Sequence, residues 1–593
     1  MTETLAPDTA LAAGVGTVHA VSGPVVTARG LPAPRLYNVV LVGHARLPGE
    51  VIRLDSGDAV VQVYEDTAGI AAGEPVVDTG GPLRVELGPG LLGTIFDGTQ
   101  RPLTTLAESE GDTPGAPMIE RGATAPALDR SRAWTFEPEV AEGARVSAGD
   151  VLGTVQETRA LVHRVLVPPG LAGVVTRVGS GRLRVDEPVA WIDDEPLTML
   201  SHWPVRLPRP FARRLALDHP LVTGQRAIDT LFPLARGGAA TIPGGFGTGK
   251  TVLEQSLAKW SHADVIVYVA CGERGNELTE MLDEFPKLTD PRTGSSLMER
   301  TVIIANTSNM PVAAREASIY TGITIAEYFR DQGRDVAVLA DSTSRWGEAL
   351  REVSSRLEEM PAEEGYPAYL STRLAEFYER AGAVACLGSE ERMGSVSIVG
   401  AVSPAGGDFS EPITQHSLRL VGTFWGLDTN LARRRHFPAI DWNRSYTLYE
   451  LDTWFDDDVA PDWHEQRAWA LELLQQETSL LEIVQLLGAD SLAPAERVVL
   501  ETGKLLREDF LQQSAFDDVD AYCDLSKQYE MLRVVRAAHE AMVAAVARDV
   551  SIETLATVQS LRGPARMRSW ADEEVADNAQ ALIDRIRQEL EEL

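Results

Sequence analysis

The sequence predicts a multidomain α/β protein with an N-terminal β-barrel, a parallel-sheet domain carrying an inserted β-sandwich-like module, and a C-terminal helical bundle. Three observations lead to this prediction. Short apolar runs broken by glycine and proline fill much of residues 1–193, apolar runs then alternate with helical stretches up to residue 440, and helical periodicity follows. At 593 residues, the chain is long enough for several such domains.

Residues 1–80 are predicted to form the barrel. Their strand-like runs are GTVHAVSGPVVTARG, LYNVVLVG, EVIRLD and AVVQVYED. The passage LGPGLLGTIFDGTQRPL is rich in glycine and proline, which favours a linker. Residues 81–115 are therefore assigned to a linker and to the start of the next domain.

Residues 116–193 are predicted to form the inserted β module. FEPEVAEGARVSAGDVLGTV and HRVLVPPGLAGVVTRVGSGRL resemble the hairpins of a lipoyl- or biotinyl-type carrier. Such carriers expose a lysine for modification, and this segment contains no lysine. A structural or interaction role is therefore favoured over a chemical one.

Residues 194–440 are predicted to form a parallel sheet covered by helices on both faces. The strand-like runs AATI, VIVYVA, TVIIANTS, DVAVLADS and SVSIVGAVS are almost continuously apolar, and helical stretches cover residues 251–261 and 312–332. Such sheets bind ligands at the carboxyl ends of their strands. Strands are expected to stop after about Trp442, so residues 441–593 are assigned to a helical bundle.

The composition excludes several classes of protein. Lys and Arg number 54 against 87 Asp and Glu, a formal net charge of −33, which argues against a nucleic-acid partner because phosphate contacts need clustered basic side chains. The three cysteines lie far apart and support neither a disulfide framework nor a zinc site. No basic leader region and no run of about 18 apolar residues is present, so we expect a soluble, intracellular protein.

The most specific motif is PGGFGTGKTV, which satisfies the phosphate-loop pattern G-x-x-x-x-G-K-[ST] between a strand and a helix. Glycines there let backbone N–H groups approach phosphate oxygens, and the helix N-terminus adds a favourable dipole. Lys250 is predicted to neutralise the β- and γ-phosphates, and the Thr251 hydroxyl is predicted to bind Mg²⁺. The nucleotide-binding residues are predicted to be Gly244, Gly245, Phe246, Gly247, Thr248, Gly249, Lys250, Thr251 and Val252.

Two further strand ends carry acidic residues. VAVLADSTSRW places Asp341 after an apolar run, where a carboxylate can hold Mg²⁺ directly or through water, although an aspartate also suits a helix N-cap. VIVYVACGERGNE places Glu273 and Arg274 just beyond a strand, and both are assigned to the catalytic group. Glu273 is predicted to orient the attacking water, with Glu277 as the second-ranked carboxylate and a Glu–Arg loop ion pair as the structural alternative.

Together these motifs resemble the catalytic A subunit of V-type and A-type rotary ATPases. The resemblance also includes EEGYPAYLSTRLAEFYERAG, SPAGGDFSEP, FPAIDW and DFLQQSAFDDVDAYC, and it extends over essentially the whole chain. The intact phosphate loop separates this chain from the related B subunit, and the β insert separates it from the F-type catalytic β subunit. Gly245 and Thr248 differ from the expected residues, but only at variable positions of the loop.

The resemblance implies a RecA-like nucleotide-binding domain acting on ATP and ADP with Mg²⁺. It implies an alternating hexamer with a B-type subunit that supplies an arginine finger in trans, contacts with central-stalk and peripheral-stalk subunits, and indirect coupling to a membrane sector that moves H⁺ or Na⁺. The chain would then be cytoplasmic and peripheral to the membrane. The direction of the reaction and the identity of the ion depend on other chains.

The resemblance further implies that Phe437 and Phe516 form an adenine pocket, because aromatic faces stack on a purine. On residue type alone, either phenylalanine would more often belong to the core. Arg345 and Glu348 lie in the matching motif without an assigned role.

Two other classes of function remain open at this point: a subunit that holds nucleotide without turnover, and a ring ATPase with a different load, such as a Rho-like helicase or a secretion motor. A subunit that only holds nucleotide is disfavoured because Lys250, Thr251, Glu273 and Asp341 are all suited to turnover. The acidic net charge disfavours the helicase. The β insert and the long helical C-terminal part disfavour the secretion motor.

Overall fold

The computed structural model describes residues 14–109, 121–275 and 284–593. Two compact units are present. Unit 1 comprises Met1–Ala216, Ala263–Val402 and Ser410–Leu420, and unit 2 comprises Leu217–His262, Ser403–Phe409 and Val421–Leu593.

A closed six-stranded barrel begins unit 1. Its strands are β1 Val15–Ser22, β2 Val25–Arg29, β3 Asn38–Val42, β4 Leu47–Asp55, β5 Asp58–Val63 and β6 Pro75–Pro82. They are antiparallel, and their order around the barrel is β1-β2-β5-β4-β3-β6. Small and branched side chains such as Val26, Val40 and Val61 fill its interior. The predicted N-terminal barrel is confirmed.

The next part of unit 1 contains the β module. Its elements and those leading into it are β7 Arg84–Leu87, β8 Ile95–Phe96, α1 Leu103–Ser109, β9 Ala133–Pro138, β10 Arg145–Val146, β11 Val151–Gln156, β12 Val162–Leu166, β13 Gly173–Val178, β14 Gly181–Arg184, β15 Pro188–Ile192, β16 Glu195–Thr198 and β17 Ser201–Pro204. Two four-stranded antiparallel sheets form, in the orders β10-β13-β15-β16 and β12-β11-β9-β14. Residues 116–120 of the predicted module lie outside the described residues.

Glu86 on β7 contacts both ends of the module. Its carboxylate accepts hydrogen bonds from the Leu128 N–H (3.2 Å) and from the Arg130 guanidinium (2.6 Å). His202 lies 3.8 Å away on β17, the strand that pairs with β7. Burial would raise the pKa of Glu86, but His202 and Arg130 lower it to about 2.

The remaining strands divide between the two units. They are β18 Arg213–Arg214, β19 Ala239–Pro243, β20 Val265–Glu273, β21 Thr301–Thr307, β22 Asp335–Asp341, β23 Gly382–Ala385, β24 Met393–Val402, β25 Thr423–Phe424 and β26 Tyr446–Thr447. In unit 1, β24, β22, β20, β21 and β8 are parallel neighbours in that order, with β23 antiparallel to β24. In unit 2, β19 is parallel to β25.

The strand pattern extends slightly beyond the predicted end at Trp442. β26 pairs antiparallel with β25, where Thr423 lies opposite Thr447. The rings of Phe424 and Tyr446 stack with their centroids 5.5 Å apart. Two residues are too short for a strand pattern in the sequence, so the stacking of these rings could not be foreseen.

The helices after α1 are α2 Lys250–Trp260, α3 Val312–Asp331, α4 Thr343–Arg356, α5 Leu370–Tyr378, α6 Pro412–Leu418, α7 Thr429–Arg433, α8 Asp452–Asp458, α9 Trp463–Leu487, α10 Pro494–Lys504, α11 Leu525–Val546, α12 Ile552–Leu555 and α13 Val575–Glu591. α3 is buried from Ala313 onward. At Gly322, an added Cβ would lie 2.5 Å from Val269 Cγ2 on β20, so only glycine allows this close approach of helix and sheet.

The helices α8 to α13 form the predicted C-terminal helical domain of unit 2. Phe455 and Trp463 stack at its beginning, with ring centroids 4.9 Å apart and planes inclined by 6°. Further along, Met531, Val534 and Val535 on α11 are completely buried. No described helix combines the length and the apolar composition that are needed to cross a membrane.

Candidate active site

The predicted phosphate loop connects β19 to α2 in unit 2. β19 is fully buried, and α2 begins at Lys250 with Gly249 as its N-cap. Gly247 and Gly249 have φ angles of 75° and 87°, a left-handed backbone that strains any other L-residue. Two of the glycines in the motif are therefore required by the conformation of the loop.

The backbone of this loop has the features of an anion site. The N–H groups of Gly247, Thr248 and Gly249 donate to no acceptor within residues 14–109, 121–275 and 284–593. These three consecutive donors lie directly before the N-terminus of α2, where the helix dipole favours negative charge. The loop therefore fits a phosphate group.

Two side chains of the loop bond to its own first residues. Lys250 Nζ donates to the carbonyl oxygens of Gly244 (2.7 Å) and Gly245 (2.9 Å). Thr248 Oγ1 donates to the Gly245 carbonyl at 2.8 Å. An added Cβ at Gly244 would lie 2.6 Å from the Thr248 hydroxyl oxygen. The motif pattern treats Thr248 as a variable position, so its bond across the loop was missed by the sequence analysis.

The other loop side chains face outward to different degrees. Phe246 is 83% exposed. Thr251 is exposed at the first turn of α2, and Val252 is half-buried. A hydroxyl oxygen is a ligand type that Mg²⁺ accepts together with phosphate oxygens and water.

The two candidate adenine-binding residues also lie in unit 2. Phe437 is half-buried, and an added Cβ at Gly249 would lie 3.9 Å from its Cδ2. Phe516 is 91% exposed, so the alternative that residue type favours, a place in the core, is wrong for this ring. The Gln513 N–H donates to the Phe437 carbonyl at 2.7 Å, which ties the segment before Phe516 to Phe437.

Asp341 ends β22 in unit 1. It is 2% exposed, and its Oδ2 accepts a hydrogen bond from the Tyr268 hydroxyl at 3.5 Å. Ser342 is the N-cap of α4, so the alternative that Asp341 caps this helix is wrong. The backbone of Asp341 pairs with Ala270 on the neighbouring parallel strand β20.

Glu273 is the last residue of β20 rather than a residue just beyond it. The strand is extended because Glu273 still pairs with Thr307 on β21. It lies three residues beyond Ala270, so Glu273 and Asp341 end two neighbouring parallel strands at the same edge of the sheet. Arg274 follows directly and is exposed, whereas Glu277 lies outside the described residues.

Gly272 allows two arginines to approach this strand end. Its φ is 75°, and an added Cβ would lie 2.6 Å from Arg345 Cβ and 3.1 Å from Arg315 Cδ. Arg315 is 8% exposed and donates from Nη2 to the Ser308 carbonyl at 2.9 Å. No motif singles out Arg315, whose only signal in the sequence is a basic residue within the largely apolar stretch that forms α3.

Arg345, which the sequence analysis left without a role, donates from Nη1 to both carboxylate oxygens of Glu348, at 3.0 and 2.9 Å. Both side chains are partly exposed on α4.

No group of three or more His, Cys, Asp and Glu side chains that could hold a metal ion occurs in the described part of the chain. A Mg²⁺ ion bound through Thr251 or Asp341 would therefore need further oxygen ligands from phosphate groups and water, which is its usual preference.

Four family models match the chain in sequence order. They describe the beta-barrel domain of the ATP synthase alpha/beta family at residues 18–80, the alpha/beta subunit barrel-sandwich domain at 125–206, the nucleotide-binding domain of the same family at 224–447, and the C-terminal domain of V and A type ATP synthase at 452–555. The architecture deduced from the sequence is confirmed.

A solved structure with the same fold is the assembled ATPase EscN of the type III secretion system from enteropathogenic E. coli. The match has a TM-score of 0.62 and 23% identity, and it covers 88% of this chain and 99% of that one. At this identity, the likeness concerns the fold alone, and it leaves the secretion motor a distant neighbour.

Several relatives with much higher identity are A subunits of A-type ATP synthases. The chain is 58% identical to the second such protein of Methanospirillum hungatei, with 98% of both sequences covered. It is 54% identical to the one from Methanopyrus kandleri, over 98% of both, and 55% identical to the one from Thermococcus kodakarensis, over 98% of this chain and 99% of the relative. The resemblance seen in the motifs is confirmed, and the chain belongs to the family of A-type ATP synthase A subunits.

Proposed function

We propose that Lys250, Thr251, Glu273 and Asp341 carry out the ATP chemistry of this family in this chain. Family membership makes the chain a nucleotide-binding subunit of an enzyme that synthesises or hydrolyses ATP. The observation that carries the assignment of residues is the phosphate loop, where three consecutive N–H groups without a described acceptor precede α2. They would bind the β- and γ-phosphates.

Lys250 would donate to the phosphates in place of the Gly244 and Gly245 carbonyls that its ammonium contacts. A charged oxygen is the stronger acceptor, which favours this exchange. The Thr251 hydroxyl and the Asp341 carboxylate would hold Mg²⁺, directly or through water, and the ion would neutralise charge on the β- and γ-phosphates. Arg274, exposed directly after β20, would add positive charge.

In hydrolysis, a water oxygen would attack the γ-phosphorus in line with the bond to the β–γ bridging oxygen. That bond breaks, ADP leaves, and the proton of the attacking water passes to the Glu273 carboxylate and then to solvent. Synthesis is the reverse of these steps. The position of Glu273 at the carboxyl end of β20, beside the strand that ends in Asp341, supports this role.

The adenine base would stack on Phe437 and Phe516. The exposure of Phe516 supports this proposal, because a phenylalanine ring that is 91% exposed has apolar surface left to cover. Stacking on rings is insensitive to the hydrogen-bonding pattern of the base, so specificity for adenine would require further polar contacts.

The complex would contain other chains. The relatives are named as subunits of A-type ATP synthases. We propose that this chain alternates in a ring with a B-type subunit, which supplies an arginine finger in trans. Central-stalk and peripheral-stalk subunits would connect the ring to a membrane sector that moves H⁺ or Na⁺, and the chain would then be cytoplasmic and peripheral to the membrane. The net charge of −33 argues against nucleic acid among the partners.

The experiment that tests the chemical assignment compares Glu273→Gln with the wild type in the assembled complex. Glutamine keeps the shape of the side chain and removes its charge, so turnover should fall about 10²–10⁴-fold while ADP still binds. Glu390→Gln, at an exposed loop position, serves as the matched control and should retain full turnover. Near-normal turnover in Glu273→Gln would refute the role of this residue.

A second measurement tests the partner. ATP hydrolysis by the purified chain alone is compared with hydrolysis after mixing with its B-type subunit. Strong activation is expected if a neighbouring subunit completes the site. A stable homohexamer that is fully active alone would instead favour a ring ATPase with a different load.

A further inference from the structure

A cavity of about 130 Å³ lies in unit 1 between the inserted β module and α3. The module contributes Val165, Val167 and Met199, and the opposite wall contains Arg209, Tyr328 and Asp331. This volume is roughly ten times what one buried water needs, so a small molecule fits. None of these residues belongs to the candidate active site.

Arg209 is the polar group directed at this cavity. Its side chain is only 6% exposed, and its Nε donates to Asp331 Oδ2 at 2.7 Å. The terminal nitrogens Nη1 and Nη2 have no acceptor among the residues that the structure describes, although Arg209 lines the cavity. Two parallel N–H donors on a planar guanidinium match the two oxygens of a carboxylate or phosphate.

Neighbouring rings hold the Arg209 guanidinium in place. Its carbon lies 4.9 Å from the ring centre of Trp203 and 5.4 Å from that of Tyr328. The Tyr328 hydroxyl is itself bonded to His163 Nε2 at 2.8 Å, and His163 Nδ1 is bonded to Glu157 at 2.7 Å. Because this arrangement fixes the guanidinium in advance, a ligand would lose little affinity to ordering it.

The charge of the wall is positive. Asp331 is its one carboxylate among the described residues, and Oδ1 of Asp331 already accepts two hydrogen bonds from Arg330. Arg392 is the second lining cation, and it donates to the backbone carbonyls of Asp331 and Leu387. Asp331 therefore compensates Arg209 through one oxygen only, and the lining holds two guanidinium groups against one carboxylate.

We propose that this cavity binds a small oxyanion, with Arg209 Nη1 and Nη2 donating to two of its oxygens. The apolar side chains of Val165, Val167 and Met199 would cover a short carbon chain, which favours an organic carboxylate of up to about ten non-hydrogen atoms over inorganic phosphate. Since the cavity is built from both the module and α3, the bound anion would strengthen their contact.

Thr198 can be replaced by two side chains of nearly equal size, aspartate and asparagine, which differ in charge and in the N–H donors of the amide. Thr198 lines the cavity on β16, and its hydroxyl oxygen accepts the Leu200 N–H at 3.2 Å. Aspartate and asparagine can both accept that N–H, but only aspartate adds negative charge to the cavity wall. The Thr198 hydroxyl also donates to the Leu200 carbonyl at 2.9 Å, a bond that asparagine can replace and aspartate cannot, so melting temperatures of the two variants are compared as well. The full-length chain would carry Lys250→Ala throughout, so that anion binding at the phosphate loop is weakened.

Succinate and inorganic phosphate are titrated separately by calorimetry. We expect succinate to bind one site, Thr198→Asp to raise its Kd about tenfold or more, and Thr198→Asn to change it little. Arg209→Lys, which keeps the charge but loses the fork, should also raise the Kd, whereas the exposed control Arg213→Lys should not. Melting temperatures establish that each variant is folded.

If phosphate binds and succinate does not, and if Thr198→Asp raises the Kd for phosphate, the oxyanion site is supported and its ligand is an inorganic ion. The proposal is overturned if neither anion binds at millimolar concentrations, or if the aspartate and asparagine variants weaken binding equally.

Discussion

The ammonium group of Lys250 donates a hydrogen bond to the carbonyl oxygen of Gly244, with 2.7 Å between the two atoms. Only 9% of this lysine is exposed, so its charge lies largely within the loop. A peptide carbonyl compensates a buried cation less well than a phosphate does. We therefore expect Lys250 to exchange its carbonyl acceptor for phosphate oxygens when a nucleotide binds.

Replacing Lys250 with alanine should weaken nucleotide binding. A hydrogen bond to a charged group contributes about 1.5–3 kcal/mol, so the Kd for ADP should rise roughly 10–150-fold in calorimetry. The matched control is Lys259→Ala, at the other end of α2, which should leave the Kd almost unchanged. Equal affinities for ADP in Lys250→Ala and the wild type would contradict the proposed phosphate contact.

Replacing Asp341 with asparagine should affect the metal more than the nucleotide. The side chain keeps its shape at the end of β22 but loses the charge that Mg²⁺ prefers in a ligand. The Mg²⁺ concentration for half-maximal turnover should rise about tenfold or more, while ADP binding in EDTA stays within about twofold. An unchanged Mg²⁺ dependence would show that Asp341 does not serve the metal.

Phe516→Ala should weaken binding of ATP without destabilising the fold, because the ring is 91% exposed. Stacking contributes about 1–3 kcal/mol per base, so we expect the Kd for ATP to rise by roughly 5–150-fold. Phe516→Tyr keeps a ring and should bind almost normally. Inorganic triphosphate lacks the base, so its affinity should be the same in all three proteins; a parallel loss for triphosphate would argue against stacking.

Glu477 on α9 should make stability depend on pH. It is 1% exposed, and burial raises its pKa from 4.5 to about 7, with Arg507 opposing the shift from 3.1 Å. The folded state therefore binds the proton more tightly than the unfolded state, so this stabilisation is complete below pH 4.5 and is lost as the pH rises through 7.

Denaturant unfolding between pH 5 and 8 measures this effect. Glu477→Gln should remove up to about 3 kcal/mol of the decline in the free energy of unfolding across that window. Glu472→Gln, exposed on the same helix, should leave the decline intact. Identical pH profiles for Glu477→Gln and the wild type would disprove the assignment.

The sequence was sufficient for the elements with strong periodicity. The helix expected over residues 312–332 is present as α3 at Val312–Asp331, and the one expected over residues 251–261 is α2 at Lys250–Trp260. α3 has a long helical pattern, and α2 follows directly after a defined motif. β26 was missed because a two-residue strand depends on a distant partner, Thr423, and carries no local signal.

For the candidate site, the motif predicted the loop, its helix and the strand end at Asp341, since their chemistry is local in sequence. It could not reveal Arg315, which comes close to Gly272 from α3 across 43 positions of the chain only once the sheet is formed. The exposure of Phe516 was equally hidden, because residue type alone favours burial for phenylalanine.

Glu86 contacts Leu128, Arg130 and His202, so the segments that enter and leave the β module meet at one carboxylate. The chain therefore enters and leaves the module side by side, and further contacts, such as the hydrogen bond between His163 and Tyr328, join the module to α3. Such a module can be enlarged on the surfaces that face away from α3 without redirecting the polypeptide on either side, and a chimera joined near Leu128 and His202 would preserve the host architecture if it kept the contacts with α3.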